Sequence, residues 1–137
     1  MKTYVLDASV LLTGLLNERE NVANKLQGLL RHVEKKQVQI YSSSLLPLEV
    51  ANGLRYTIRD NNLGQETFEK FGELPINYFY FKTEHIQKAL DLSYELKTSV
   101  YDTSYHVLAK LISGTLLTCD REYYLKAKDF GSIELLS

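Results

Sequence analysis

The chain has little cysteine, no tryptophan and no long apolar stretch. Cys119 is its one cysteine, which excludes an internal disulfide and favours a reducing cytosol. No apolar run approaches the roughly 18–20 residues that span a bilayer, so we expect no membrane partner. The opening Met1-Lys2-Thr3 leads into a short apolar run that contains Asp7, which is not typical of a secretion signal. These absences predict a cytoplasmic protein.

An excess of charge of either sign is also lacking. Lys and Arg number 16 against 17 Asp and Glu, which gives a net charge of −1. A protein that coats nucleic acid non-specifically needs a basic field, so that class is disfavoured, although a local basic rim remains open. Apolar residues make up 45% and charged residues 24%, as in globular proteins. The length predicts one domain over residues 1–137.

Short apolar runs alternate with longer helical patterns along the chain. Strands are predicted at Tyr4–Leu6, Val38–Tyr41, Asn77–Phe81, Thr115–Thr118 and Ile133–Leu135. Helices are predicted at Asn17–Lys35, Leu45–Arg59, Gln65–Glu73, Glu84–Leu96 (capped by Thr83), Asp102–Ile112 and Arg121–Lys128, with a break at Asn61–Gly64. Such alternation implies parallel strands joined by right-handed crossovers. The predicted fold class is α/β, a three-layer α/β/α domain with a parallel five-stranded sheet.

Four acidic residues are expected at one edge of this sheet. Asp7 closes the first predicted strand and Asp120 follows the fourth, and ligands of such sheets gather beyond the carboxyl ends of the strands. Asp102 begins a predicted helix, and its side chain points towards the same edge. Glu49 lies in the first turns of another helix, with Asn52 one turn further along the same face.

Two interpretations of these acids compete. Asp at a strand–helix junction is a favoured helix cap, and a lone Glu49 is typical of a solvated helix surface. Four carboxylates in one cleft, however, repel one another and require a hard divalent cation, Mg²⁺ or Mn²⁺. Such an ion orients a water and neutralises charge on a phosphodiester. The convergence predicted by the strand pattern favours the metal site.

Four motifs carry a family resemblance. YVLDASVLL, LPLEVANGL, VYDTSYHVLA and LLTCDREYYLKA occur in this order and together extend over essentially the whole chain. They resemble the PIN-domain ribonucleases, in particular the VapC-like toxins of toxin–antitoxin pairs. A mild departure is Thr103, where the family often carries Ala.

The resemblance implies roles for particular residues. It implies that a carboxylate quartet holds Mg²⁺ or Mn²⁺ and activates the attacking water, namely Asp7, Glu49, Asp102 and Asp120. It also implies that Ser9, Asn52 and Thr118 support this site by hydrogen bonds. The implied substrate is RNA, and the implied partners are a small antitoxin protein and a second copy in a homodimer. The implied fold is a parallel five-stranded sheet between helices, in agreement with the strand pattern.

The remaining polar residues are open to both structural and functional interpretations. Contacts with RNA phosphates are possible for Arg55, Arg59 and Arg121, which could equally be solvated. His106 is expected to be a helix-surface or semi-buried histidine rather than a ligand, since Mg²⁺ prefers oxygen ligands, and Cys119 is expected to serve packing. Tyr105 shares a helix face with Asp102 and either borders the cleft or fills the core. The aromatic run 77–81 is expected to be buried.

Two other functions compete with metal-assisted RNA hydrolysis. A phosphatase would use Asp7 as its nucleophile, but phosphatases of the haloacid-dehalogenase type carry a second Asp where this chain has Ser9. A non-catalytic module would use the same cleft to bind RNA or a protein. The presence of all four acids argues against a lapsed site.

Overall fold

A computed structural model describes residues 1–137. Its centre is a five-stranded sheet with the strand order β3-β2-β1-β4-β5, and all four strand pairings are parallel. The strands are β1 Lys2–Leu6, β2 Val38–Ser43, β3 Ile76–Phe79, β4 Thr115–Thr118 and β5 Ile133–Leu135. The predicted parallel five-stranded sheet is confirmed.

Seven helices cover the two faces of the sheet. They are α1 Ala8–Leu15, α2 Glu20–Glu34, α3 Leu46–Thr57, α4 Asn61–Gly72, α5 Thr83–Leu96, α6 Val100–Leu111 and α7 Arg121–Ala127, followed by a 3₁₀ turn at Lys128–Phe130. The chain moves outward from β1 to β3, crosses back to β4 and continues to β5. Right-handed crossovers therefore place α1–α4 on one face and α5–α7 on the other, which confirms the three layers. No helix is both long and apolar enough to cross a membrane.

The core lies on both faces of the central strands. Val5 and Leu6 of β1 and Leu116 and Leu117 of β4 are almost completely buried, as expected of central parallel strands covered by helices. The start of β4 is held unusually close to β1. A Cβ at Gly114 would lie 2.8 Å from the carbonyl oxygen of Thr3, so only glycine fits at this position. This close approach sets the start of β4 against β1.

The first helix was missed because its sequence lacks a polar face. Helix α1, ASVLLTGL, is mostly apolar and shows no amphipathic period, whereas the prediction placed a single helix over Asn17–Lys35. The chain instead forms α1 directly after β1 and reverses at Asn17, whose positive φ of 52° ends the segment before α2.

Three predicted helix starts were also wrong. Asp60 caps α4 by accepting a hydrogen bond from the Leu63 N–H, so the predicted break forms the first helical turn. Ser99 caps α6, and Asp102 therefore lies within the first turn rather than at the start. The N-cap of α5 is Lys82, one residue before Thr83, and its N–H donates to His85 Nδ1 at 3.1 Å.

The aromatic strand is less buried than predicted. β3 lies at the edge of the sheet and pairs only with β2. Tyr78 is 36% exposed, and Tyr80, just after the strand, is 77% exposed. The prediction of a buried strand was wrong because aromatic composition does not distinguish an edge strand from a central one.

Candidate active site

Asp7 lies at the carboxyl end of β1, next to the end of β4. The strand register pairs Leu6 with Leu117, which brings Asp7 beside Thr118. Thr118 Oγ1 donates to Asp7 Oδ2 at 2.6 Å, and Ser9 Oγ donates to Oδ1 at 2.6 Å. Oδ1 also accepts the Val10 N–H at 3.2 Å and so caps α1. Asp7 therefore caps α1, and its carboxylate is also held at the ends of β1 and β4 by Ser9 and Thr118.

Asp120 is linked to Asp7 through the same hydroxyl. The Asp120 N–H donates to Thr118 Oγ1 at 3.0 Å, while the Asp120 carboxylate accepts the Tyr123 N–H and caps α7. The Cys119 N–H donates to Ser9 Oγ at 2.9 Å. Two hydroxyl groups, from Ser9 and Thr118, thus tie the end of β1 to the start of α7.

Helices α6 and α3 carry the other two acids, each with a hydroxyl partner. Asp102 is half-buried and accepts a hydrogen bond from Thr98 Oγ1 at 2.9 Å. Glu49, also half-buried, accepts a hydrogen bond from the hydroxyl of Tyr105. Glu49 lines an open groove of about 690 Å³, which also contains Asn52.

The charges of these acids act on one another. The pKa of Asp7 is raised to about 6, mainly by burial and to a smaller extent by the Asp102 charge, against the opposing effect of its hydrogen bonds. Burial also raises the pKa of Glu49, with a smaller contribution from Asp102. The pKa of Tyr123 is raised by burial and by the charges of Asp102, Asp7 and Asp120. The charge of Asp102 therefore acts on both Asp7 and Glu49, and Asp120 adjoins Asp7 through the Thr118 hydroxyl.

The donor set suits a hard cation, although the side chains are not closed around one. No group of three or more His, Cys, Asp or Glu side chains is arranged to hold a metal ion directly. The four acids and their hydroxyl partners offer only carboxylate and hydroxyl oxygens, which are the ligands that Mg²⁺ and Mn²⁺ prefer. Mg²⁺ commonly takes one or two carboxylates and keeps several waters, so an open arrangement of this kind fits it. The residues available to hold it are Asp7, Glu49, Asp102 and Asp120.

The other predicted site residues are more dispersed. Asn52 is exposed and makes no hydrogen bond to the four acids. Arg55 and Arg59 line a separate cavity of about 540 Å³ between α3 and α4, which none of the acids borders. Arg121 is exposed in the first turn of α7, next to Asp120. Of the three arginines, Arg121 alone adjoins an acid of the cluster.

His106 and Cys119 are both buried in the protein interior. His106 is completely buried, and its Nε2–H donates to the Gly131 carbonyl oxygen at 2.6 Å while Nδ1 accepts from the Tyr123 hydroxyl at 2.8 Å. Burial lowers the pKa of His106, which keeps the ring neutral. Cys119 is buried, and burial raises the pKa of its thiol. The prediction that Cys119 serves packing is confirmed, whereas the prediction of a helix-surface or semi-buried His106 was wrong, because the ring lies in the core between two hydrogen-bond partners.

Two hydroxyl partners of the acids, and one arginine near Cys119, were not predicted as functional residues. Thr98 and Tyr105 bind Asp102 and Glu49, and Arg19 lies close enough to Cys119 for its charge to lower the pKa of the thiol. Tyr105 had a sequence signal, since it follows Asp102 by three residues and shares its helix face. Thr98 and Arg19 lie in loops outside the motifs, and no spacing rule identifies them.

Comparison with known proteins assigns the fold. The sequence profile of the PIN domain family matches residues 4–129. No curated protein matches the chain. Among solved structures, VapBC2 from Rickettsia felis, bound to a DNA fragment from its promoter, superposes with a TM-score of 0.72 at 18% identity, covering 98% of this chain and 99% of that one. A toxin–antitoxin complex from Klebsiella pneumoniae gives a TM-score of 0.69 at 16% identity, with coverages of 96% and 95%.

Proposed function

Because the chain belongs to the PIN domain family, we propose that it is a nuclease that hydrolyses RNA phosphodiester bonds with the help of Mg²⁺ or Mn²⁺. PIN domains are generally nucleases. The observation that carries the proposal is Asp7, a half-buried carboxylate with a pKa of about 6 that faces the charge of Asp102. Burial and mutual repulsion destabilise ionised carboxylates in this position. A bound cation offsets both effects because it supplies the opposite charge.

The residues of the chain have distinct roles in this reaction. Asp7, Glu49, Asp102 and Asp120 would hold the cation, and hydrogen bonds from Ser9, Thr118 and Thr98 keep the carboxylates of Asp7 and Asp102 oriented. When bound, the cation supplies positive charge that acidifies a water and stabilises the phosphodiester in its transition state. Glu49 Oε1 accepts no hydrogen bond, so this oxygen is available to the cation and to the attacking water.

The direct test is cleavage of mixed RNA by the purified chain. We expect cleavage with Mg²⁺ or Mn²⁺, none in EDTA, and recovery when Mn²⁺ is added in excess. Single-stranded and duplex DNA of matched length serve as control substrates and should be cut far more slowly. Cleavage that persists in EDTA would exclude the mechanism. Tight RNA binding without cleavage under any metal condition would favour a non-catalytic module.

Binding of Mn²⁺ is expected to depend on pH through Asp7. The cation requires the ionised carboxylate, and the pKa of Asp7 is raised to about 6 by burial. Affinity should be constant above about pH 7 and fall about tenfold per pH unit below pH 6, because one proton is displaced for each ion bound. Isothermal titration of the metal-free protein between pH 5 and pH 8 measures this. An unchanged affinity down to pH 5 would show that Asp7 is not a ligand.

We also propose a small antitoxin protein as a partner. Support comes from the fold, which is shared with chains of structures described as toxin–antitoxin complexes. Expression of this chain alone should slow growth, and co-expression of the protein encoded next to it should restore growth and co-purify. Unimpaired growth on expression of the active nuclease would argue for a free-standing role.

A homodimer is proposed on the basis of an exposed apolar surface. Helix α5 presents Ile86, Leu90 and Tyr94, spaced four residues apart, and these side chains are 51%, 44% and 77% exposed. Uncovered apolar side chains in register along a helix are typical of protein interfaces. A second copy would cover this face. Sedimentation equilibrium should give twice the monomer mass for the wild type and the monomer mass for Leu90→Asp.

A further inference from the structure

Tyr105 occupies the core with its ring and the candidate site with its hydroxyl. The residue is 3% exposed and belongs to the main hydrophobic cluster. Its hydroxyl has one hydrogen-bond partner, Glu49 Oε2. Burial and the hydrogen bond to Glu49 both raise the pKa of Tyr105, so the hydroxyl keeps its proton and acts as the donor.

This hydrogen bond joins two helices that have different packing partners. Helix α3 packs against α1 and α4, on one face of the sheet, and α6 packs against α5, β1 and β2. Glu49 lies on α3 and borders an open groove, where a glutamate side chain has several rotamers available. Tyr105 approaches from α6, one helical turn after Asp102. The hydroxyl therefore fixes Glu49 relative to the helix that carries another acid.

We propose that Tyr105 is a positioning residue, which holds the Glu49 carboxylate by Oε2 so that Oε1 is presented to the metal and water. The inference rests on the proposed nuclease function, and it explains how the Glu49 carboxylate on α3 is oriented. A phenylalanine would fill the same space in the core, so packing alone does not require the hydroxyl. Residues that orient metal ligands by hydrogen bonds affect metal affinity or activity by about 10–100-fold.

The test is Tyr105→Phe, with Tyr123→Phe as the matched control. Both changes remove one hydroxyl from a buried tyrosine, but the Tyr123 hydroxyl binds His106 and no acid. For Tyr105→Phe we expect Mn²⁺ affinity, measured by titration calorimetry, to fall about 10–100-fold and kcat for RNA cleavage to fall similarly. The KM for RNA should stay within about twofold, because RNA binding depends mainly on phosphate contacts. Tyr123→Phe should retain the wild-type affinity for Mn²⁺.

A double-mutant cycle with Glu49→Gln distinguishes an effect of the Tyr105 hydroxyl on the Glu49 carboxylate from a general loss of packing around the site. If the hydroxyl acts through the Glu49 carboxylate, Tyr105→Phe should cause little further loss of Mn²⁺ affinity in the Glu49→Gln background. Full additivity, an unchanged Tyr105→Phe variant, or equal losses in Tyr105→Phe and Tyr123→Phe would each overturn the inference. A wild-type chain that neither binds Mn²⁺ nor cleaves RNA would instead refute the proposed function.

Discussion

Replacing Asp7 with asparagine should abolish RNA cleavage without weakening the fold. The new side chain would retain an acceptor for Ser9 and the Val10 N–H, but the site would lose a negative charge. A bound metal contributes several kcal/mol to such a transition state, and each 1.36 kcal/mol is a factor of ten. We therefore expect cleavage to fall by about 10³-fold or more, as measured by the initial rate at saturating Mn²⁺.

The same variant should be more stable than the wild type in EDTA. The pKa of Asp7 is about 6 in the folded chain and 3.8 ordinarily, so the folded state binds the proton more tightly. The resulting stabilisation is fully present below pH 3.8 and is lost as the pH rises through 6. At pH 7.5 the ionised carboxylate thus lowers the free energy of unfolding by up to about 3 kcal/mol. Asp7→Asn should recover about 1–3 kcal/mol in urea titrations.

Asp129→Asn is the control for both measurements, because Asp129 is exposed on the 3₁₀ turn and binds none of the site residues. It should change neither cleavage nor stability beyond about 0.5 kcal/mol. An Asp7→Asn variant that remains active, or that is less stable than the wild type in EDTA, would contradict the assignment of Asp7 as a buried metal ligand.

The largest loss of stability is expected from His106→Phe. The ring is completely buried, and both its nitrogens are hydrogen-bonded, to the Tyr123 hydroxyl and the Gly131 carbonyl oxygen. Phenylalanine would leave the buried Tyr123 hydroxyl and the part-buried Gly131 carbonyl oxygen without these partners, at about 1–3 kcal/mol each. The free energy of unfolding should therefore drop by about 2–5 kcal/mol, with a Tm lower by about 10 °C or more.

His32→Phe is the matched control. His32 is exposed and bonded to Gln37 at 2.7 Å, so its replacement should cost less than about 0.5 kcal/mol. Below its Tm, His106→Phe should bind Mn²⁺ as the wild type does. Loss of Mn²⁺ binding at a temperature where the variant is folded would instead implicate the imidazole in the site.

The sheet was predictable because its signal is local. Strands β4 and β5 were predicted at their observed bounds, since short apolar runs between polar segments mark buried strands. Helix α1 was not, because a helix covered on most sides has no polar face to reveal its period. The exposure of β3 was also missed, since position at the edge depends on strand order rather than composition.

The acids of the site were predictable to the extent that strand topology places them. Asp7 and Asp120 follow neighbouring parallel strands, and that alone brings them to one edge. The partners of Asp102 and Glu49 were not predictable in the same way. Thr98 lies in the loop before α6, and Tyr105 reaches from α6 to α3. Such contacts depend on rotamers and helix packing, which short motifs do not encode.

The hydrogen bond between Thr118 and Asp7 also has a consequence for synthesis of the chain. The two residues are 111 positions apart, and their strands lie side by side in the sheet. Until β4 has left the ribosome, the nascent chain lacks the Thr118 hydroxyl that hydrogen-bonds to the Asp7 carboxylate. The nuclease activity proposed above would therefore be acquired only once β4 has been synthesised, and a fragment that terminates before β4 would lack it.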